Sequence, residues 1–326
     1  MSDAINRRDF IYRSFVAAGA VNLLEIKASN PDFSELNQSQ IPMPASILGR
    51  TGRKVSRLAF GGGSRYTDWV PEEKDAEKLI EYAISLGITY FDSAHSYGKD
   101  QLSEKRYGKY LTPKYRNQIF MTSKSEKRTY DEVMKEFEQT LTNMKTDHLD
   151  LYHMHALTKI EEVKTLLNPT GGFKAYRQLK EQGAIKNIGF SFHVWGEHAQ
   201  LAFNEFDPDV VMCPLNAARD NECEEKFMPL ALKKNIGLIC MKVTAQNTLI
   251  GNVSGKDLVR YCFGLPAHVV NVGMDGYTTL ESCVELAKEK PLSAAERDAI
   301  HKKLAYSPEK YKVPYHQSNY FDGYFA

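Results

Sequence analysis

From Ser46 onward the chain alternates short β-branched or apolar runs with longer segments whose apolar residues recur three and four apart, the pattern of repeated βα units. The short runs are Leu58–Phe60, Ile88–Phe91, Ile119–Thr122, Leu149–Tyr152, Asn187–Phe190, Val210–Met212, Gly237–Cys240 and Val269–Asn271. Helical periodicity predicts helices that include Glu73–Leu86, Tyr130–Met144, Phe173–Gln182, Cys223–Lys234 and Thr279–Glu289. Gly87, Gly183 and Gly237 stand where a left-handed residue ends a helix. Eight strands with crossover helices fit a closed (β/α)8 TIM barrel, an α/β fold that leaves no unpaired sheet edge. A doubly wound open sheet is the competing architecture, but Gly61-Gly62-Gly63 after the first strand is not the GxGxxG turn that it needs.

Two further runs, Ser46–Leu48 and Lys54–Ser56, flank Gly49-Arg50-Thr51-Gly52 and predict a β-hairpin ahead of the barrel, able to plug its amino-terminal mouth. Ser293–Leu304 reads as an additional helix, and the tail from Tyr306 to Ala326 is rich in tyrosine and phenylalanine. The tail is expected to pack on the barrel wall, a lid over the pocket being the other reading. Residues 1–44 read as a leader and linker and 45–326 as the barrel domain. In the leader, Arg7-Arg8 precedes a mildly apolar stretch from Phe15 to Leu24, similar to a twin-arginine export signal. That implies the export machinery as a partner and a periplasmic location; the alternative is an amphipathic or unstructured leader on a cytoplasmic enzyme.

Composition narrows the classes. With 42 basic and 41 acidic residues among 326, the net charge of +1 offers no basic stripe for a nucleic acid. No apolar run reaches the roughly 18 residues of a membrane span. Cys213, Cys223, Cys240, Cys262 and Cys283 lack zinc-like spacing and read as small buried hydrophobes. Oligomeric state is not encoded in any of these features.

In a barrel, chemistry belongs at the carboxyl ends of the strands, and three successive strands end in polar residues: Asp92 leading to Tyr97, Lys124, and His153-Met154-His155. A tyrosine serves as an acid near neutral pH only if its pKa of ~10 is lowered, which a neighbouring ammonium achieves. Lys124 is placed to supply that charge, Asp92 to hold the lysine, and His155 to donate to a substrate oxygen. His153 shares the strand parity of His155 and is expected one layer deeper, in the core. His95 and His193 are loop histidines placed to line a substrate pocket.

The string Ile88-Thr-Tyr-Phe-Asp92-Ser-Ala-His-Ser-Tyr97-Gly98, Lys124 and Asp150-Leu-Tyr-His-Met-His155 together resemble the Asp, Tyr, Lys, His tetrad of the aldo-keto reductases. Leu48-Gly49-Arg50-Thr51-Gly52, the stretch from Gly183 to Ser191, and Val272-Gly273-Met274 carry the resemblance further, from about Ser46 to Lys290. It implies a (β/α)8 barrel that reduces an aldehyde or ketone, or oxidises the alcohol, with NADP(H) or NAD(H) and a small-molecule substrate. It also implies Tyr97 as general acid, Lys124 and Asp92 tuning it, and His155 orienting the carbonyl. At cofactor-contacting positions the resemblance places Asp92, Ser191, Met212, Met241, Lys242, Gly273, Met274, Asp275 and Thr279.

Several of these depart from the family pattern. Phe192 replaces an asparagine, Met212 a glutamine, and Met241 an aromatic residue expected under the nicotinamide ring. The stretch from Gly273 to Thr279 carries no positive charge, and Asp275 would repel a 2′-phosphate while accepting ribose hydroxyls, which favours NAD(H) as a rival to NADP(H). Two other readings stand beside the reductase: a non-catalytic cofactor-binding member of the fold, and a metal-dependent hydrolase built on His153 and His155, although no metal is expected.

Overall fold

The computed structural model describes residues 42–316 and 320, so the leader with Arg7 and Arg8 lies outside the described residues. Ten strands are present among them. β1 (Ala45–Ile47) and β2 (Lys54–Ser56) pair antiparallel. The other eight form a closed parallel barrel: β3 (Leu58–Gly61), β4 (Tyr90–Asp92), β5 (Phe120–Ser125), β6 (Leu149–Leu157), β7 (Ile185–Phe192), β8 (Val210–Pro214), β9 (Gly237–Met241) and β10 (Val269–Gly273). β10 closes the ring against both β9 and β3, so no edge is left open.

Strand alternation sorts the core into two layers. Ala59, Tyr90, Phe120, Leu151, Val210, Ile239 and Val269 face one another inside the barrel, with Met212 and Met241 one layer nearer the carboxyl end. Leu48 and Val55 join this inner cluster, so the hairpin does plug the amino-terminal mouth. It is fastened there by the Arg50 amide donating to the Asn235 carbonyl at 2.6 Å and by the Arg50–Asp207 ion pair at 2.8 Å. Residues of opposite parity, such as Phe60, Phe91 and Phe190, enter the larger cluster between strands and helices.

The helix Tyr130–Met144 shows how the sequence builds that outer layer. Asp131 and Glu132 complement the helix amino terminus; Val133, Phe137, Leu141 and Met144 form its buried stripe; Lys145, at φ 48°, ends it in the left-handed conformation. Gly87 and Gly183 are left-handed as expected, but Gly237 is not. It is the first residue of β9, the left-handed turn before it is taken by Asn235, and its lack of a side chain admits Leu48. The segment expected to be one helix over Cys223–Lys234 begins with a π-type turn to Phe227 and becomes α-helical at Met228. A further helix, Ile160–Leu167, lies in the connection after β6. No helix among the described residues is long and apolar enough to cross a membrane.

Candidate active site

The carboxyl ends of β4, β5 and β6 converge on one buried ammonium. Lys124 donates to Asp92 Oδ2 at 2.8 Å, to the Ser93 carbonyl at 2.8 Å and to Tyr97 Oη at 3.1 Å. All three of its protons are thereby placed. Asp92 is held in turn by Thr122 Oγ1 on Oδ1 at 3.0 Å and by Asn271 Nδ2 on Oδ2 at 3.0 Å. The Lys124 and Asp92 side chains are 0% and 1% exposed, so the desolvation of each charge is offset by this dense set of bonds.

Tyr97 accepts from Lys124, which directs the phenol's own O–H to another acceptor. Its ring meets the His155 ring edge-on, with centroids 5.6 Å apart. His155 is completely buried, at a point where the β6 and β7 register shifts and Ala156 takes φ 47°. Ser191 Oγ accepts the Ala156 amide at 2.8 Å, and Arg128 Nη2 donates to the His155 carbonyl at 2.7 Å. Both bonds fix the kink that aims the histidine.

His153 lies deeper, as its parity implies. Burial holds its pKa well below the ordinary histidine value, the Lys124 charge and His155 adding to the effect. Among the described residues no group of three or more His, Cys, Asp or Glu is arranged to hold a metal ion, so His153 and His155 lack the further ligands that the hydrolase reading requires.

A cavity of about 320 Å³ opens beside this cluster. Of the residues singled out in the sequence, Asp92, Tyr97, Met212, Met241, Lys242, Gly273, Asp275 and Thr279 line it. Two others do not. Ser191 points into the barrel but is engaged with Ala156, and Met274 has outward parity and is buried in the outer core. Phe192 also faces outward, against Trp195 and Phe227, so an asparagine there would serve no cavity in this chain.

The reading of Asp275 as an uncompensated carboxylate is corrected. Arg65, from the short helix Ser64–Asp68, reaches across and donates to Asp275 Oδ2 at 2.8 Å, while Thr279 bonds Oδ1. His95 is corrected too: it bonds Glu104 at 3.2 Å and lines a separate cavity of about 180 Å³. Burial alone would lower its pKa, but Glu104 raises it overall. His193 sits under the tail, stacked on Tyr315 and meeting Tyr320 edge-on. Tyr311, Val313 and Tyr315 pack into the outer core, as expected of the tail, while Tyr320 contacts Lys242, a residue that lines the cavity.

Arg65, Asn271 and Glu126 were not picked out by motif. Asn271 had a signal, since alternation from Val269 puts 271 and 273 inward together. Glu126 had a similar one, two positions beyond Lys124, while Arg65 had none, because its partner lies elsewhere in the chain.

The fold and this cluster define a carbonyl–alcohol oxidoreductase on a (β/α)8 barrel: residues 57–297 match the Aldo/keto reductase family, and the chain belongs to that family. It is similar to pyridoxal 4-dehydrogenase of Microbacterium luteolum, 27% identical over 269 residues that cover 68% of this chain and 77% of that protein. Aldo-keto reductase YhdN of Bacillus subtilis is 25% identical over 249 residues, covering 64% and 68%. Among solved structures, the holo form of aldo-keto reductase AKR11C1 from Bacillus halodurans superposes with a TM-score of 0.68 at 21% identity, over 80% of this chain and 96% of that one.

Proposed function

We propose that the chain reduces an aldehyde or ketone with hydride from NADPH or NADH, Tyr97 delivering the proton. The observation that carries this reading is the Lys124 ammonium, which bonds the Asp92 carboxylate at 2.8 Å and the Tyr97 hydroxyl at 3.1 Å. The ammonium stabilises the negative charge that grows on the phenol oxygen as its proton leaves, and Asp92 keeps the ammonium in place. His155, held by its kinked strand, meets the Tyr97 ring edge-on and is the residue assigned to orienting the carbonyl oxygen.

The cavity residues fit a nicotinamide nucleotide. Asn271 Oδ1 is a buried acceptor without a hydrogen-bond partner among the described residues, and it lines the cavity where a hydroxyl or amide donor would satisfy it. Met212 and Met241 offer an apolar, polarisable floor for a ring. Lys242, Gly273, Arg65, Asp275 and Thr279 would hold the rest of the nucleotide, which when bound supplies the hydride. With Arg65 neutralising Asp275, the electrostatic objection to a 2′-phosphate is removed, and both NADPH and NADH fit the charge at that end.

The likeness to a pyridoxal dehydrogenase supports including pyridoxal, an aromatic aldehyde, in the substrate panel. The test is turnover of NADPH and NADH against aldehydes, ketones and the corresponding alcohols, beside fluorescence titration of both nucleotides. Binding of either without turnover of any carbonyl would establish a non-catalytic binder instead. For location, Arg7 and Arg8 support twin-arginine export. Fractionation of cells expressing the full chain and its Arg7→Lys, Arg8→Lys form decides this, unchanged distribution rejecting it.

A further inference from the structure

We infer that Glu126 is a positioning residue for His155: its carboxylate accepts the Nδ1 proton and stabilises the positively charged ring, so that Nε2 also keeps a proton to donate to the substrate oxygen. The inference rests on the roles proposed above for Tyr97 and His155.

Glu126 follows directly on the last residue of β5, two positions after Lys124. Its Oε1 lies within ion-pair distance of His155 Nδ1, at 3.3 Å. The same oxygen accepts a hydrogen bond from Ser96 Oγ at 2.9 Å, and Ser96 immediately precedes Tyr97. One carboxylate oxygen therefore ties the loop carrying the phenol to the ring that would orient the carbonyl. His155 is wholly buried, whereas the Glu126 side chain is 28% exposed and lines the second cavity with His95, Ser96, Lys127 and Glu136. Glu126 thus faces the reacting centre on one side and a second opening on the other.

A neutral imidazole can carry its proton on either nitrogen, and the group opposite one nitrogen decides which. A carboxylate opposite Nδ1 holds a proton there and, by stabilising the imidazolium, lets Nε2 carry the second proton that donates to the carbonyl oxygen, as in any carboxylate–histidine pair where the acid orients the ring. Other charged groups around His155 act differently. Lys124 would oppose a positive ring, but its own charge is countered by Asp92. His153, on the same strand, is kept neutral by burial. Arg128 is directed at the His155 carbonyl and at Glu162, not at the ring. Lys127 and Glu136 face the second cavity, and Tyr97 meets the ring edge-on. Glu126 is the carboxylate in this set that meets Nδ1.

The experiment compares wild type with Glu126→Gln, Glu126→Asp, Ser96→Ala and Tyr97→Phe, measuring kcat and kcat/KM across pH and nucleotide Kd by fluorescence. Glu126→Gln is expected to lower kcat for carbonyl reduction about tenfold and to move the alkaline limb of kcat/KM about one pH unit lower, with nucleotide Kd unchanged. Glu126→Asp should recover most of both. Ser96→Ala removes the loop tie but keeps the carboxylate at the ring, and should keep the wild-type limb. Wild-type kcat and pH limb in a folded, nucleotide-binding Glu126→Gln protein would overturn the inference, leaving Glu126 a loop staple. Tyr97→Phe keeps the two failures apart: if it remains active, the acid assignment fails, whatever Glu126 does. Should Glu126→Gln not fold, nitrogen NMR of the wild-type His155 ring, assigned with His155→Gln, decides instead. A neutral ring protonated at Nε2 alone would overturn the inference, and a proton held on Nδ1 would support it.

Discussion

Arg65 and Asp275 meet at one end of the large cavity, guanidinium Nη1 to carboxylate Oδ2 at 2.8 Å, although 210 positions separate them. Arg65 is braced from below by Gly273, whose missing side chain leaves room for it, and it stacks over Trp69 at 4.4 Å. Both partners are largely shielded, with side chains 17% and 21% exposed. The pair makes this end of the cavity close to neutral. Removing either partner therefore changes the local charge by one unit and should read out as nucleotide preference.

Asp275→Asn is expected to release Arg65 for a 2′-phosphate and raise the preference for NADPH over NADH about tenfold, since a hydrogen bond to a charged group is worth about 1.5–3 kcal/mol. Arg65→Met leaves the carboxylate exposed to the nucleotide and should move preference toward NADH. Titration of each protein with both nucleotides checks this. Ratios that stay at the wild-type value in both variants would show that the pair does not read the 2′ position.

Tyr97→Phe retains the ring against His155 and removes only the hydroxyl that Lys124 contacts. Turnover should fall roughly 10²- to 10⁴-fold, the range of a positioned general acid, with nucleotide affinity close to wild type. Full turnover in this variant would assign the proton to another group.

The Asp92–Lys124 pair also bears on stability. Lys124→Met leaves Asp92 as a buried carboxylate without its cation, which is expected to cost about 3–5 kcal/mol in urea unfolding. The double variant Asp92→Asn, Lys124→Met removes both charges and should recover much of that loss. If the single and double variants unfold alike, the loss comes from packing rather than from an uncompensated charge.

How much of this was legible follows from the distance over which each signal acts. Every barrel strand was readable, because a β-branched run bounded by helical periodicity is a local pattern, and the hairpin was readable from its glycines. The cluster of Asp92, Tyr97, Lys124 and His155 was readable for the same reason, Asp92, Lys124 and His155 lying at or near strand ends and Tyr97 in the loop that follows β4. Met274 was misplaced against the alternation that puts Val269, Asn271 and Gly273 on the inner side, a signal present in the sequence but outweighed by motif. Asp275 was misjudged because its charge partner arrives from the far end of the chain, where a motif around residue 275 carries no trace of it. Tyr320 over Lys242 is of the same kind: an aromatic-rich tail announces that it packs, while the surface it packs on is set by the closed barrel.

His153 offers a last check, on the barrel interior beneath the site. A side chain at Gly189 would come within 2.7 Å of His153 Nδ1 and of the Val210 carbonyl, so the imidazole is packed directly on the β7 backbone. Burial holds its folded pKa well below 6.5. Below pH 6.5 the unfolded chain therefore binds a proton that the folded chain does not, and stability falls as pH falls, by up to about 1.4 kcal/mol per pH unit from this one group until the folded pKa is reached. His198 and His268 are also lowered by burial and give a slope of the same sign, but they are unchanged by a substitution at 153. His153→Leu should accordingly show a shallower loss of unfolding free energy between pH 6.5 and 5 than wild type, whatever its stability at neutral pH. Parallel curves for the two proteins would mean that His153 is protonated in the folded barrel, and that the layer beneath Lys124 and His155 admits a charge.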